Sequence, residues 1–84
     1  MAAGLPALTG KQLIDLLKKD GWVEVRGRGS HISLKKSFGD RTRRTVVENT
    51  GASLPRGTLA AILGVRQTGI GRAGLLELID KYGI

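Results

Sequence analysis

The stretch VRGRGSHISLKK, Val25 to Lys36, decides how this chain folds. In His31-Ile32-Ser33-Leu34-Lys35 the apolar side chains fall on every second residue, the period of a strand with one covered face. Ile32 and Leu34 then point to the core, while His31, Ser33 and Lys35 share the opposite side. The lead-in Gly27-Arg28-Gly29 has the length and composition of a hairpin loop, so a strand should precede it. Trp22–Arg26 supplies that strand, with Val23 and Val25 inward and Trp22, Glu24 and Arg26 outward. Beyond Lys36, Ser37-Phe38-Gly39-Asp40 forms a second loop leading to a third strand over about Arg43–Glu48. Val46 and Val47 are adjacent and cannot both face the core, but either register leaves Arg43 or Arg44 on the open side. The product is an antiparallel three-stranded meander.

Helical patterns flank the meander. Thr9-Gly10-Lys11-Gln12 has the form of a capping box, and Leu13, Ile14 and Leu17 follow at helical spacing. Lys18 and Lys19 suit the negative end of a helix and Gly21 suits its stop, so the first helix runs over about Gly10–Asp20. After the polar stretch Asn49–Ser53, Pro55 fits the first turn of a second helix. Leu59, Ile62 and Leu63 give it an apolar face, and Gly64 ends it. Arg72–Lys81 reads as a third short helix, with Leu75, Leu76 and Ile79 as its stripe. Gly69-Ile70-Gly71-Arg72-Ala73-Gly74 matches the G-x-G-x-x-G dinucleotide fingerprint, but that motif needs a preceding strand and a βαβ unit. Here a helix precedes it, so these glycines read as a loop between helices.

Composition narrows the function. The 84 residues suit one domain, residues 1–84, with a modest core and a loose segment at residues 1–8. Absence of cysteine excludes disulfides and thiolate metal sites, and a single histidine argues against a histidine-rich metal centre. No apolar run approaches the ~20 residues of a membrane span, and the N-terminus lacks the pattern of a signal peptide. The expectation is a soluble, cytoplasmic protein with no cofactor and no membrane partner. The net charge of +7 favours a polyanion or an acidic protein as partner. That charge is concentrated: between Trp22 and Arg44 seven cations face two anions. His31, the only histidine, thus stands on an open strand face among cations, with an imidazole able to give or take a proton near neutrality. From the residues alone it is either a proton carrier beside a bound polyanion or a polar surface residue.

The ordered set Thr9-Gly10-Lys11, Leu13-Ile14, Leu17, Gly21-Trp22, Arg26, Gly29-Ser30-His31 and Leu54-Pro55-Arg56-Gly57-Thr58-Leu59, then Ile62-Leu63, resembles the HicA family of mRNA interferase toxins over about residues 9–80. The resemblance implies an α+β fold like the double-stranded-RNA-binding domain, α-β-β-β-α plus a short C-terminal helix, with the helices on one face of the sheet. It also implies an endoribonuclease that cleaves mRNA without a metal, a catalytic histidine that falls on His31, and a HicB-like antitoxin as partner. Members often read Gly-Ser-His-His; here Ile32 takes the second position, which the alternation assigns to packing. Cleavage through the 2′-OH would need a proton acceptor, a proton donor and cations. His31 would serve as base or acid, Lys35 and Arg26 as nearest charge stabilisers, and Arg28, Lys36, Arg43 and Arg44 as further RNA contacts, with Ser30 orienting the imidazole or simply turning the chain. Two other readings use the same surface. One is a basic RNA- or DNA-binding module that cuts nothing, in which Trp22 could stack a base; the other is a basic domain that only docks an acidic protein.

Overall fold

The computed structural model describes residues 5–84, apart from the side chains of Arg26 and Arg28. Helix α1 spans Gly10–Lys19 and starts on the expected capping box: the Gln12 backbone N–H donates to the Thr9 hydroxyl (3.0 Å), and the Thr9 N–H donates to the Gln12 side chain (2.9 Å). It ends in a Schellman motif, in which the Gly21 N–H donates to the Lys18 carbonyl and the Trp22 N–H to the Leu17 carbonyl (2.9 Å). Gly21 takes the left-handed conformation this needs, with φ +99°.

That motif corrects the expected facing of the first strand. The residue after a Schellman glycine folds back onto the helix, and Trp22 is accordingly only 2% exposed, its ring edge-on to Phe38 at 6.2 Å. Strand β1 therefore begins one residue later, at Val23–Arg28. Val23 and Val25 are exposed, at 58% and 46%, rather than buried. Glu24 pairs with Leu34 on the covered side, where it meets Lys18 of α1 at 2.9 Å. As an edge strand lying over the end of α1, β1 faces an ion pair there and not the apolar core.

Strands β2 (His31–Phe38) and β3 (Arg41–Glu48) complete an antiparallel sheet of order β1-β2-β3. Both hairpins turn on two residues with glycine first at positive φ, Gly29-Ser30 and Gly39-Asp40. This is the requirement of a type II′ turn, whose twist matches that of the strands. The first turn thus lies later than the expected Gly27–Gly29 loop, and Arg28 is a strand residue opposite His31. Val47 is fully buried and Val46 is 49% exposed, which resolves the ambiguous register of the third strand.

Helices α2 (Arg56–Leu63) and α3 (Gly71–Tyr82) join α1 on one face of the sheet. Leu34 and Val47 from the sheet meet Leu13, Leu16 and Leu17 of α1, Leu59, Ile62 and Leu63 of α2, and Leu75 and Leu78 of α3. Leu16 widens the expected stripe of α1 because that helix contacts both β3 and α3. In α3 the buried pair is Leu75 and Leu78, with Leu76 partly exposed. The α-β-β-β-α order with a further helix is the expected layout. Of the rejected fingerprint, Gly69 holds positive φ in the turn between α2 and α3, and Gly71, also at positive φ, opens α3. Of the expected loose N-terminal segment, residues 1–4 lie outside the described residues. The rest is held: Leu8 is buried and its carbonyl accepts from the Leu54 N–H at 2.7 Å. Among the described residues no helix is long and apolar enough to cross a membrane.

Candidate nucleic-acid interface and catalytic site

The helices cover one face of the sheet and leave the other open, so strand register decides which side chains gather there. Directly opposed residues of an antiparallel pair share a face. On β2 the open face carries His31, Ser33 and Lys35. Across β3 their partners are Glu48, Val46 and Arg44. Across β1 the backbone partners are Arg28 for His31, Arg26 for Ser33 and Val23 for Lys35. The bulge between Glu24 and Arg26 produces this arrangement. A bulge adds one residue and so inverts the alternation. Positions 26 and 28 thereby align with the open-face residues of β2.

His31 is exposed at the first residue of β2, directly after the Gly29-Ser30 turn. The Asn49 N–H donates to the Ser30 carbonyl. This bond flanks the His31–Glu48 pair, making it the narrow, non-hydrogen-bonded type whose side chains stand closest. The same alternation makes Lys35–Arg44 a narrow pair, four residues or roughly 13 Å further along the strand. Two cations directly opposed across strands repel. The ion pairs among the described residues, Lys18–Glu24, Lys19–Asp15 and Lys36–Asp20, all involve α1 or its capping residue, and neither Lys35 nor Arg44 takes part. Among the described residues, the open face therefore holds Lys35 and Arg44 without an ion-pair partner, interleaved with the exposed Val23 and Val46.

Two of the expected RNA contacts lie elsewhere. Lys36 alternates to the covered side, where its ammonium donates to the Asp20 carbonyl (2.6 Å) and carboxylate (3.2 Å) and lies 5.2 Å from the Phe38 ring centre. It fastens β2 to the end of α1. Arg43 also alternates away, donating to the carbonyls of Val65 (2.6 Å) and Gln67 (3.4 Å) in the turn after α2. Ser30 occupies the hairpin turn and is exposed. Ile32 packs against the core, opposite the buried Val47. Glu48 is the residue that strand periodicity alone missed. The signal for it was the Gly39-Asp40 turn: once a two-residue turn is placed there, counting back along both strands sets His31 against Glu48.

Together the open face sets His31 opposite Glu48 at one end and Lys35 opposite Arg44 at the other. No curated protein and no solved structure gives a significant match to the chain. The family model of the HicA toxin of bacterial toxin–antitoxin systems matches residues 10–70, from the start of α1 to the turn before α3, and so takes in the whole sheet and its open face. With most of its length inside that match, the chain belongs to the HicA family, the toxins of bacterial toxin–antitoxin pairs.

Proposed function

We propose that this toxin is a metal-independent endoribonuclease acting on mRNA in the cytoplasm, restrained by a HicB-like antitoxin. The observation that carries the reading is the narrow His31–Glu48 pair at the end of an open basic face. In the proposed reaction a phosphodiester sits over this pair. The ribose 2′-OH attacks phosphorus, Glu48 takes the 2′ proton, and the P–O5′ bond breaks as His31 delivers a proton to the leaving oxygen. The products are a 2′,3′-cyclic phosphate and a 5′-OH end. Lys35 and Arg44, four residues further along the strands, carry charge that holds the adjoining backbone. Arg26 and Arg28, opposite Ser33 and His31 in register, belong to the same proposed contact surface. The antitoxin would cover this face with an acidic surface of its own, which answers the same unpaired cations.

Purified protein incubated with RNA in EDTA tests the assignment. Cleavage with cyclic-phosphate and 5′-hydroxyl ends supports it; intact RNA that is nevertheless bound would favour a binding module instead. Glu48→Gln separates the two proton roles. General acid–base help of about 10²–10⁴-fold predicts a loss of at least about a hundredfold in kcat, with RNA affinity retained because a negative charge is removed from a basic face. An unchanged rate would remove Glu48 from the mechanism.

A further inference from the structure

The turn between α2 and α3 forms a second basic feature, beyond the His31 face. A cleft of about 520 Å³ lies between β3 and this turn, lined by Arg41, Arg43, Arg44, Arg66, Val65 and Gln67, with Thr42 at its edge. Four arginines thus contribute to the lining of one concavity. Among the described residues none of them has a carboxylate within ion-pair distance. Cations brought together without anions repel one another, and such an arrangement favours an anionic ligand.

The cleft is also built to hold its shape. Arg43 is fixed at its base by the carbonyls of Val65 and Gln67. The turn wraps around that guanidinium: a Cβ at Gly69 would lie 2.8 Å from Arg43 Nη1, and Gly69 has φ +70°. Gln67 and Gly69 donate backbone bonds to the Gly64 carbonyl, and the Thr68 hydroxyl donates to Ile62 O at 2.7 Å. A ligand therefore meets a preorganised site and need not order a loose loop. Arg44 belongs to both features, facing Lys35 across the strands and lining the cleft.

We infer that this arginine cleft is a phosphate subsite that holds the RNA backbone away from the reacting bond. The inference rests on the proposed RNA substrate, and it names where the strand continues after Lys35 and Arg44. Planar guanidiniums suit bidentate contact with phosphate. The exposed Val65 offers apolar surface to a sugar or base. Such a subsite makes recognition depend on RNA length, because a fragment that ends at the Lys35–Arg44 pair stops at the edge of the cleft, short of Arg41 and Arg66.

The test measures binding in a His31→Ala background, where RNA stays intact, comparing the parent with an added Arg41→Gln/Arg66→Gln pair. Both side chains are exposed and make no ion pair, so the pair should keep its melting temperature. Each phosphate contact on a single strand contributes about 0.7 to the slope of log K against log salt. The double variant should lose about 1.4 from that slope, with roughly tenfold weaker binding of a long single-stranded RNA at low salt. Binding of an oligonucleotide too short to reach the cleft should not change. Equal slopes for parent and variant on long RNA overturn the subsite, as does failure of the parent to bind RNA at all. Lost affinity for a poly-glutamate peptide with RNA binding intact would overturn it too, and reassign the cleft to an acidic protein. Cleavage by the otherwise wild-type protein is scored separately, so an inactive protein that still shows the slope change refutes the nuclease reading and leaves the cleft standing.

Discussion

His31→Ala should lower RNA cleavage by about 10²–10⁴-fold, the scale of one general acid–base group, while RNA binding survives. The imidazole is exposed at the start of β2, and among the described residues it forms no ion pair. Truncating it removes no packing, so stability should stay within about 0.5 kcal/mol of wild type. Binding comes from elsewhere: Lys35 and Arg44 lie roughly 13 Å along the sheet and keep their charge. A loss confined to kcat therefore identifies a group acting in the transition state rather than in the ground-state complex. Imidazole added to the buffer should restore part of the rate in the alanine variant, since the missing proton carrier is supplied from solution. Equal cleavage by the two proteins would remove His31 from the reaction. A loss of binding equal to the loss of rate would turn the residue into an ordinary contact.

In the proposed reaction, the identity of residue 32 bears on where a second proton carrier would sit. Family members often carry a second histidine there, but in this chain Ile32 lies on the covered side and packs against the core. A side chain at that position, one residue from His31 on the same strand, points to the opposite face of the sheet. Across β3 the residue that shares a face with His31 is Glu48.

How far the chain could be read in advance varied by element, for physical reasons. Helix α1 was legible because its signals are local: a capping box, a stripe of helical period and a glycine stop all lie within a dozen residues. Strand β2 was legible because it is central and covered on one side only, so its alternation is clean. Strand β1 misled. Its two valines look like a core face, yet Trp22 is taken into the core by the helix stop before it, and the bulge after Glu24 shifts the alternation again. Neither effect leaves a trace in period-two counting. Charge alone groups Lys36 and Arg43 with the open-face cations. Their partners, Asp20 and the carbonyls of Val65 and Gln67, come from segments sixteen and more residues away, which only the tertiary fold brings close.

Gly10→Ala is expected to be the most destabilising single-methyl change in the described fold, against the ordinary direction of such substitutions. In an open helix, glycine to alanine gains about 1 kcal/mol from propensity. Gly57 in α2 is such a position: a Cβ there meets no atom within 4 Å, so Gly57→Ala should stabilise by about 0.4–1 kcal/mol. At Gly10, in the first turn of α1, the added methyl would overlap the Glu48 carbonyl oxygen and crowd the Thr50 nitrogen at 3.1 Å. The helix cannot back away. Its start is held by the capping box, by the Lys11 N–H donating to Thr50 O (3.0 Å), and by the Leu54 N–H donating to Leu8 O just before it. Overpacking of this kind costs about 1–3 kcal/mol and more where the backbone is fixed. With the propensity gain set against a clash at the upper end, the net loss should be about 2 kcal/mol or more. For a domain of this size that lowers the melting temperature by roughly 8–16 °C. The damage is also directed. Strand β3 must yield at Glu48, the residue facing His31, so cleavage at low temperature should fall even where circular dichroism still reports a folded chain. A Gly10→Ala protein with unchanged melting temperature and rate would mean that α1 does not brace the end of β3, and that the His31–Glu48 pair is positioned by the hairpin turns alone.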